Sequence, residues 1–197
     1  MPLSGGSPPP PPGDPGLMMF VDFSGDAQSH YDVENRVDPV QYTVVSAYIG
    51  VTRRRYDPDG LTVISFRLNS PVSECPGVLA TQSFTNLLPG NIDVGDPFDA
   101  TGVTLASTEC MTVPYGDVTY IGRAEYFYLG GACDILILDH ANFPRWVVDC
   151  QDPGEASPYC VWKHGGIAKD PMSGDENCYP YTAVETKSWG SIKAMYR

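Results

Sequence analysis

LMMFVDFSG, residues 17–25, is the stretch on which the fold turns. In an extended chain Met18, Phe20 and Asp22 point one way and Met19, Val21 and Phe23 the other, because side chains alternate across a strand. A strand with one solvated face carries apolar residues on one side only. This one carries them on both sides for most of its length. It is therefore buried between two layers of its own domain, or it pairs with something outside that domain. Under the second reading Leu17, Met18, Met19, Phe20, Val21 and Phe23 are candidate partner-binding residues.

Further strands follow. VQYTVVSAYIGV (40–51) is the second, and GLTVISFRLN (60–69) alternates so that Phe66 and Leu68 mark the core face. PGVLATQSFTNLLPG (76–90) reads as a strand with an irregular crossing, and TGVTLASTEC (101–110) as a regular one. DVTYIGRAEYFYLGG (117–131) is long, and Gly122 inside it marks a bulge. Turn signals separate these runs, and twenty glycines and nineteen prolines favour short strands over long helices. There is no heptad, internal repeat or βαβ alternation. The expected fold is all-β, an antiparallel β-sandwich of the Ig-like or jelly-roll type.

Residues 1–16 are Pro/Gly/Ser-rich, with five prolines from Pro8 to Pro12, and predict a polyproline leader, flexible or docking on another subunit. They show neither the basic nor the apolar region of a signal peptide. Residues 17–197 predict one sandwich domain that includes a Cys-, Pro- and Gly-rich loop at 151–186. In the tail SWGSIKAMYR (188–197), Trp189, Ile192 and Tyr196 follow a helical spacing, so a short C-terminal helix is expected, with a final strand as the alternative. Twenty-four acidic against twelve basic residues give a net charge of −12. That charge argues against nucleic acid or an anionic membrane as partner. No apolar run reaches the roughly 20 residues needed to span a bilayer.

Six widely spaced cysteines without a C-x-x-C pair predict three disulfides and an exported, extracellular or cell-surface protein. CDILILDHANFPRWVVDC (133–150) has β-favouring arms around a His-Ala-Asn-Phe-Pro elbow. Folded as a hairpin it sets Ile137 opposite Trp146, Leu136 opposite Val147 and Cys133 opposite Cys150, so Cys133–Cys150 is expected as a staple. Cys160–Cys178 would staple the long loop, leaving Cys75–Cys110. In this reading His140 is a turn residue. The catalytic alternative lacks a nucleophile, since there is no G-x-S-x-G and no free thiolate.

GNIDVGDPFDATG places Asn91, Asp93, Asp96 and Asp99 within nine residues of expected loop. Such oxygen donors suit calcium, although the EF-hand spacing is absent. YDPDG (56–60), DAQSHYDVEN (26–35) and SGDEN (173–177) are further acidic turns, and a zinc site from His30, His140 and His164 has less support. No other cofactor is expected. Tyr159, Trp162, Tyr179 and Tyr181 in the 151–186 loop would stack on a glycan, anchor a protein partner, or form a satellite core. Arg53, Arg54 and Arg55 form the only basic cluster, at a solvated hairpin end or against an acidic patch of a second copy. No motif singles out a carboxylate pair for glycoside hydrolysis.

TVISFRLN (62–69), GVTLASTEC (102–110) and the tail WGSIKAMYR (189–197) resemble uncharacterised exported bacterial β-sandwich proteins, loosely cohesin-like in layout. The resemblance implies a secreted sandwich with a binding or scaffolding role and brings no catalytic residues with it. Six cysteines depart from the cohesin pattern, which puts a dockerin-type partner in doubt. The favoured function is a non-catalytic structural protein that self-associates, as a filament or surface-layer subunit, through its N-terminal segment. The alternatives are a secreted glycan- or protein-binding module and, third, a hydrolase.

Overall fold

The computed structural model describes residues 16–54, 60–150 and 156–178. Along the chain run β1 (Leu17–Asp22), a 3-10 turn (His30–Asp32), β2 (Arg36–Val37), β3 (Val44–Arg53), β4 (Gly60–Leu68), the short helix α1 (Pro71–Glu74), β5 (Leu79–Asn86), β6 (Ile92–Asp96) and β7 (Gly102–Thr112). β8 (Thr119–Tyr128), β9 (Cys133–Ile135), β10 (Ile137–Leu138), β11 (Trp146–Val148), β12 (Ala156–Lys163) and β13 (Gly165–Ile167) complete them. The main sheet follows the order β5-β8-β3-β1-β12-β11-β4-β7-β6, with β10 also on β4. A small sheet has the order β2-β13-β9.

The long path folds over on itself. Met19, Ala47, Ile49, Ala124, Tyr126 and Val161 from one half share a single buried cluster with Ile64, Phe66, Val103, Leu105 and Val147 from the other. Rings cross the layer interface, Phe66 to Phe84 at 6.1 Å and Phe98 to Tyr126 at 6.1 Å. This is a β-sandwich, as the alternation and turn content predict. Pairing is antiparallel throughout the main sheet except between β1 and β12, which run parallel with Leu17 opposite Tyr159. An irregularity in the β3–β8 ladder falls where Ile49 meets Gly122 and Gly50 meets Tyr120, leaving Ile121 as the extra residue.

β1 explains its own sequence. It lies between β3 and β12, and its residues Leu17 to Asp22 are 0–1% exposed. Leu17, Met19 and Val21 enter the main core. Met18 packs with Cys160, Cys178 and Trp162, and Phe20 with Ala27, Val33, Tyr120 and Trp162, so the outer face is covered by other parts of the same chain. Each such side chain contributes about 1.5–3 kcal/mol of burial. Gly50, directly opposite Phe20, leaves the space that the phenyl ring fills.

Three expectations are corrected. The 151–186 segment is not one loop, because β12 within it is a central strand of the main sheet and β13 the middle strand of the small one. Residues 133–150 are not a hairpin. Ile137 lies opposite Leu68 and Val147 opposite Ile64, both antiparallel to β4, so ten residues of this segment pass four of β4 and six are looped out. The elbow is an excursion from one interrupted strand. With the hairpin goes its staple: the disulfides are Cys75–Cys133, Cys110–Cys150 and Cys160–Cys178, in place of the expected Cys133–Cys150 and Cys75–Cys110. The expected terminal helix and nearly all of the leader lie outside the described residues.

Candidate interaction surface

The outer face of β6-β7-β4-β11-β12 departs from what a solvated sheet face carries. Strand register places Ile92 opposite Ala106, Ala106 opposite Val63, Val63 opposite Val148, and Val148 opposite Ala156. Directly paired residues project to the same side. One row across five strands therefore holds no polar side chain. Val94, on the same face of β6, is 69% exposed, and Ile92 is 45% exposed. Phe143, 41% exposed, stacks on Trp146 of β11 at 5.4 Å and extends the apolar surface. An antiparallel sheet with one solvated side normally alternates apolar-in and polar-out. Among the described residues β6 pairs only with β7, so its other edge is open. β5, the opposite end of the sheet path, lies across a cleft of about 400 Å³ lined by Gln82, Phe84, Asp93, Asp96, Phe98 and Val103.

Sequence reading missed Ile92 and Val94 because their aspartate neighbours marked 91–99 as an acidic loop. The signal was present as apolar alternation at 92 and 94, and residues 92–96 are in fact strand β6. Asp93 is opposite Leu105, whose side chain enters the core, so it faces the cleft. Asp96 accepts the Phe98 N–H at 2.9 Å, and the Asp99 N–H donates to the Asp96 carbonyl at 3.1 Å. Asn91 sits in the turn before the strand with a left-handed φ of 49°. The four are thus spread over a turn, two strand positions and a second turn. Among the described residues no three of His, Cys, Asp and Glu are gathered to hold a metal ion.

The other proposed contact residues are placed as follows. Leu17, Met18, Met19, Phe20 and Val21 are internal to the main sheet, and Phe23 is half-buried against the core, so none offers a free strand. Tyr159 is a core residue whose hydroxyl donates to the Ser65 carbonyl at 2.9 Å. Trp162 belongs to the satellite core, edge-on to Phe20 and His30. Tyr179 and Tyr181 lie outside the described residues. Arg53 and Arg54 are buried rather than solvated. Asp175 of the SGDEN turn holds Arg145 in a two-pronged ion pair and accepts the Val161 N–H at 2.7 Å, which is a structural task.

His140 and His164 both pin the excursion. His140 Nδ1 accepts the N–H groups of Asn142 and Phe143 at 3.1 Å each, and His164 Nδ1 accepts that of Ile137 at 3.1 Å. Burial lowers both imidazoles from their ordinary value of 6.5. For His164 the nearby Asp175 and Asp134 oppose that shift, while Arg145 reinforces it. A ring nitrogen that takes a proton can no longer accept. Because the folded pKa is depressed, the unfolded chain binds protons first. The contribution is complete above about pH 6.5 and is lost as pH falls from there through the folded values. Urea melts at pH 7.5 and pH 5 are expected to show an acid-dependent loss of about 1–3 kcal/mol, and the double variant His140→Gln/His164→Gln to flatten it. A pH-independent midpoint would show that the histidines do not bear these turns.

No protein-family model matches the chain, and no curated protein matches it in sequence. Two solved structures are similar in layout. One is a chain of the CaDoc0917–CaCohA2 complex at pH 5.5, with a TM-score of 0.44 at 10% identity over 77% of this chain and 97% of that one. The other is the seventh ScaB type I cohesin from Pseudobacteroides cellulosolvens, with a TM-score of 0.41 at 8% identity over 83% of this chain and 96% of that one. The sandwich assignment itself rests on the strand pairing and the buried layer between the two halves.

Proposed function

We propose that this protein is a non-catalytic extracellular or cell-surface binding module, and that it engages a protein partner through the outer face of β6-β7-β4-β11. The row Ile92–Ala106–Val63–Val148–Ala156 carries this reading. Ile92 is exposed and Ala106, Val63, Val148 and Ala156 are half-buried, and apolar residues lined up across a partly exposed sheet face lower the cost of desolvating it against a partner. Three disulfides favour an oxidising compartment. A column carrying the wild-type chain is expected to retain a partner from the producing culture. One carrying Ile92→Asp/Val94→Asp should lose it at least tenfold while melting within about 0.5 kcal/mol of wild type, since both sites are on the surface. Equal retention on the two columns would sink the assignment of this face.

Self-association through the N-terminal segment is a separate reading. With β1 already paired on both edges, association through β1 itself requires that strand to exchange between copies, whereas a docking leader does not. The expected result is a single species near 21.4 kDa by light scattering across a concentration series. Polymers in that series would instead show that copies associate, and their loss on deleting residues 1–16, which leaves β1 in place, would assign the contact to the leader.

A further inference from the structure

We infer that the open edge of β6 and the cleft beside it form one docking site for an extended, basic peptide segment of a protein partner, which adds as a strand next to β6. The inference rests on the binding-module reading and specifies which chemistry the site takes. All five residues of β6 are exposed, and among the described residues the only strand it pairs with is β7; at its start the Ile92 carbonyl accepts from Asn86 Nδ2 at 3.0 Å, so the edge free for a strand runs from Asp93 onward. An added strand would satisfy the outward N–H and C=O groups as β-augmentation does elsewhere. Register fixes what its side chains meet. On the outer side they lie beside Ile92 and Val94, so apolar residues fit there. On the inner side they enter the cleft, whose apolar lining is Phe84, Phe98 and Val103 and whose acid group is Asp93, with Asp96 close by. A lysine or arginine suits such a cleft, because its aliphatic stem covers the rings while its charge reaches the carboxylates.

Charge selects the occupant. Among the described residues Asp93, Asp96 and Asp99 form no ion pair with a lysine or arginine of the chain, whereas Asp38, Asp134, Asp139, Asp170 and Asp175 all do. A second copy of this chain is a poor candidate. It carries a net charge of −12, and Arg53 and Arg54 of its only basic cluster are 6% and 8% exposed. Two β6 edges brought together would also set aspartates against aspartates.

The test uses fluorescein-labelled, end-capped nonapeptides alternating lysine and valine, read by fluorescence anisotropy with the full chain. Saturable binding is expected for the lysine peptide and none for the glutamate–valine counterpart. Of two versions N-methylated along one backbone edge or the other, one should lose at least tenfold, because strand addition needs that edge. Asp93→Asn, an exposed substitution, should weaken the parent peptide about tenfold. If neither N-methylated peptide weakens, or Asp93→Asn binds as wild type, the attraction is diffuse charge and the inference is overturned. Absence of any binding overturns it too. A failed peptide test beside partner retention lost in Ile92→Asp/Val94→Asp would leave the sheet face standing and remove the edge.

Discussion

Replacing Asp22 with alanine is expected to cost about 3–5 kcal/mol of stability, the largest effect of any single substitution considered for this chain. Asp22 ends β1 and is 0% exposed. Its carboxylate gathers the N–H of Gly25 at 2.9 Å, the N–H of Glu34 at 2.8 Å, the hydroxyl of Ser24 at 2.9 Å and the hydroxyl of Tyr120. Those donors come from the turn after β1, from the approach to β2 and from β8. The segment that covers Phe20 with Ala27 and Val33 is folded around this one anion. Alanine leaves several buried donors unpaired at about 1–3 kcal/mol each, partly relieved by water. An asparagine at this position would keep one acceptor and turn an amide N–H toward donors, so Asp22→Asn should recover less than half of the loss. Tyr120, whose phenol is pushed up by burial and by its hydrogen bond to Asp22, also accepts the Ala27 N–H at 3.1 Å. Tyr120→Phe alone should cost about 1.5–3 kcal/mol, and the two changes together less than their sum, because they share an interaction. Guanidinium titrations of the wild type, the two single variants and the double variant measure this directly. A wild-type midpoint for Asp22→Ala would mean that the carboxylate does not organise the 23–37 segment.

How much of this was legible in the sequence varies from strand to strand. That β1 is apolar on both faces could be read, because strand alternation is a strict period of two and its violation is visible in six residues, but the favoured reading gave those residues to a partner where the structure gives them to the chain's own core. What covers the second face was not legible. It comes from Ala27, Val33 and the Cys160–Cys178 region, two of them polar stretches without periodicity. β12 was missed because ASPYCVWK contains Pro158 and begins in turn-forming residues, both of which argue against a strand. Yet Tyr159 and Val161 alternate inward and Cys160 and Trp162 outward as any internal strand would. Its parallel partner β1 is more than a hundred residues away, a distance at which no local pattern reports pairing.

The misread elbow has a physical lesson. Matching arms predict a hairpin only if the chain reverses between them. Here both arms pair with the same side of β4, and His140 and Arg145 hold the looped-out residues in place while direction is kept. The candidate surface was obscured for a comparable reason. The aspartates of β6 drew the eye to metal chemistry, while the apolar row arises only when four ladders are laid side by side. No window along one strand contains it.

The disulfide pattern yields the second large effect. Replacing Cys75 and Cys133 together by alanine is expected to cost about 4 kcal/mol, against about 3 kcal/mol for Cys160 and Cys178, because the bonds close loops of 58 and 18 residues and the unfolded-chain entropy they remove grows with loop length. Cys75 directly follows α1, and Cys133 opens β9, so the bond fixes the small sheet to the start of β5. Paired substitutions avoid a stray thiol that would scramble the remaining bonds. The same bond separates the two topologies drawn from this sequence. Proteolytic mapping without reduction should recover Cys75 linked to Cys133 and Cys110 linked to Cys150. Recovery of Cys133 linked to Cys150 would restore the hairpin, because β9 and β11 pair with different strands in the interrupted-strand arrangement and bring those cysteines to different partners. In that case β4 would lose β10 and β11 as neighbours. The apolar row would then end at Val63, and the face proposed to hold a partner would shrink to three strands.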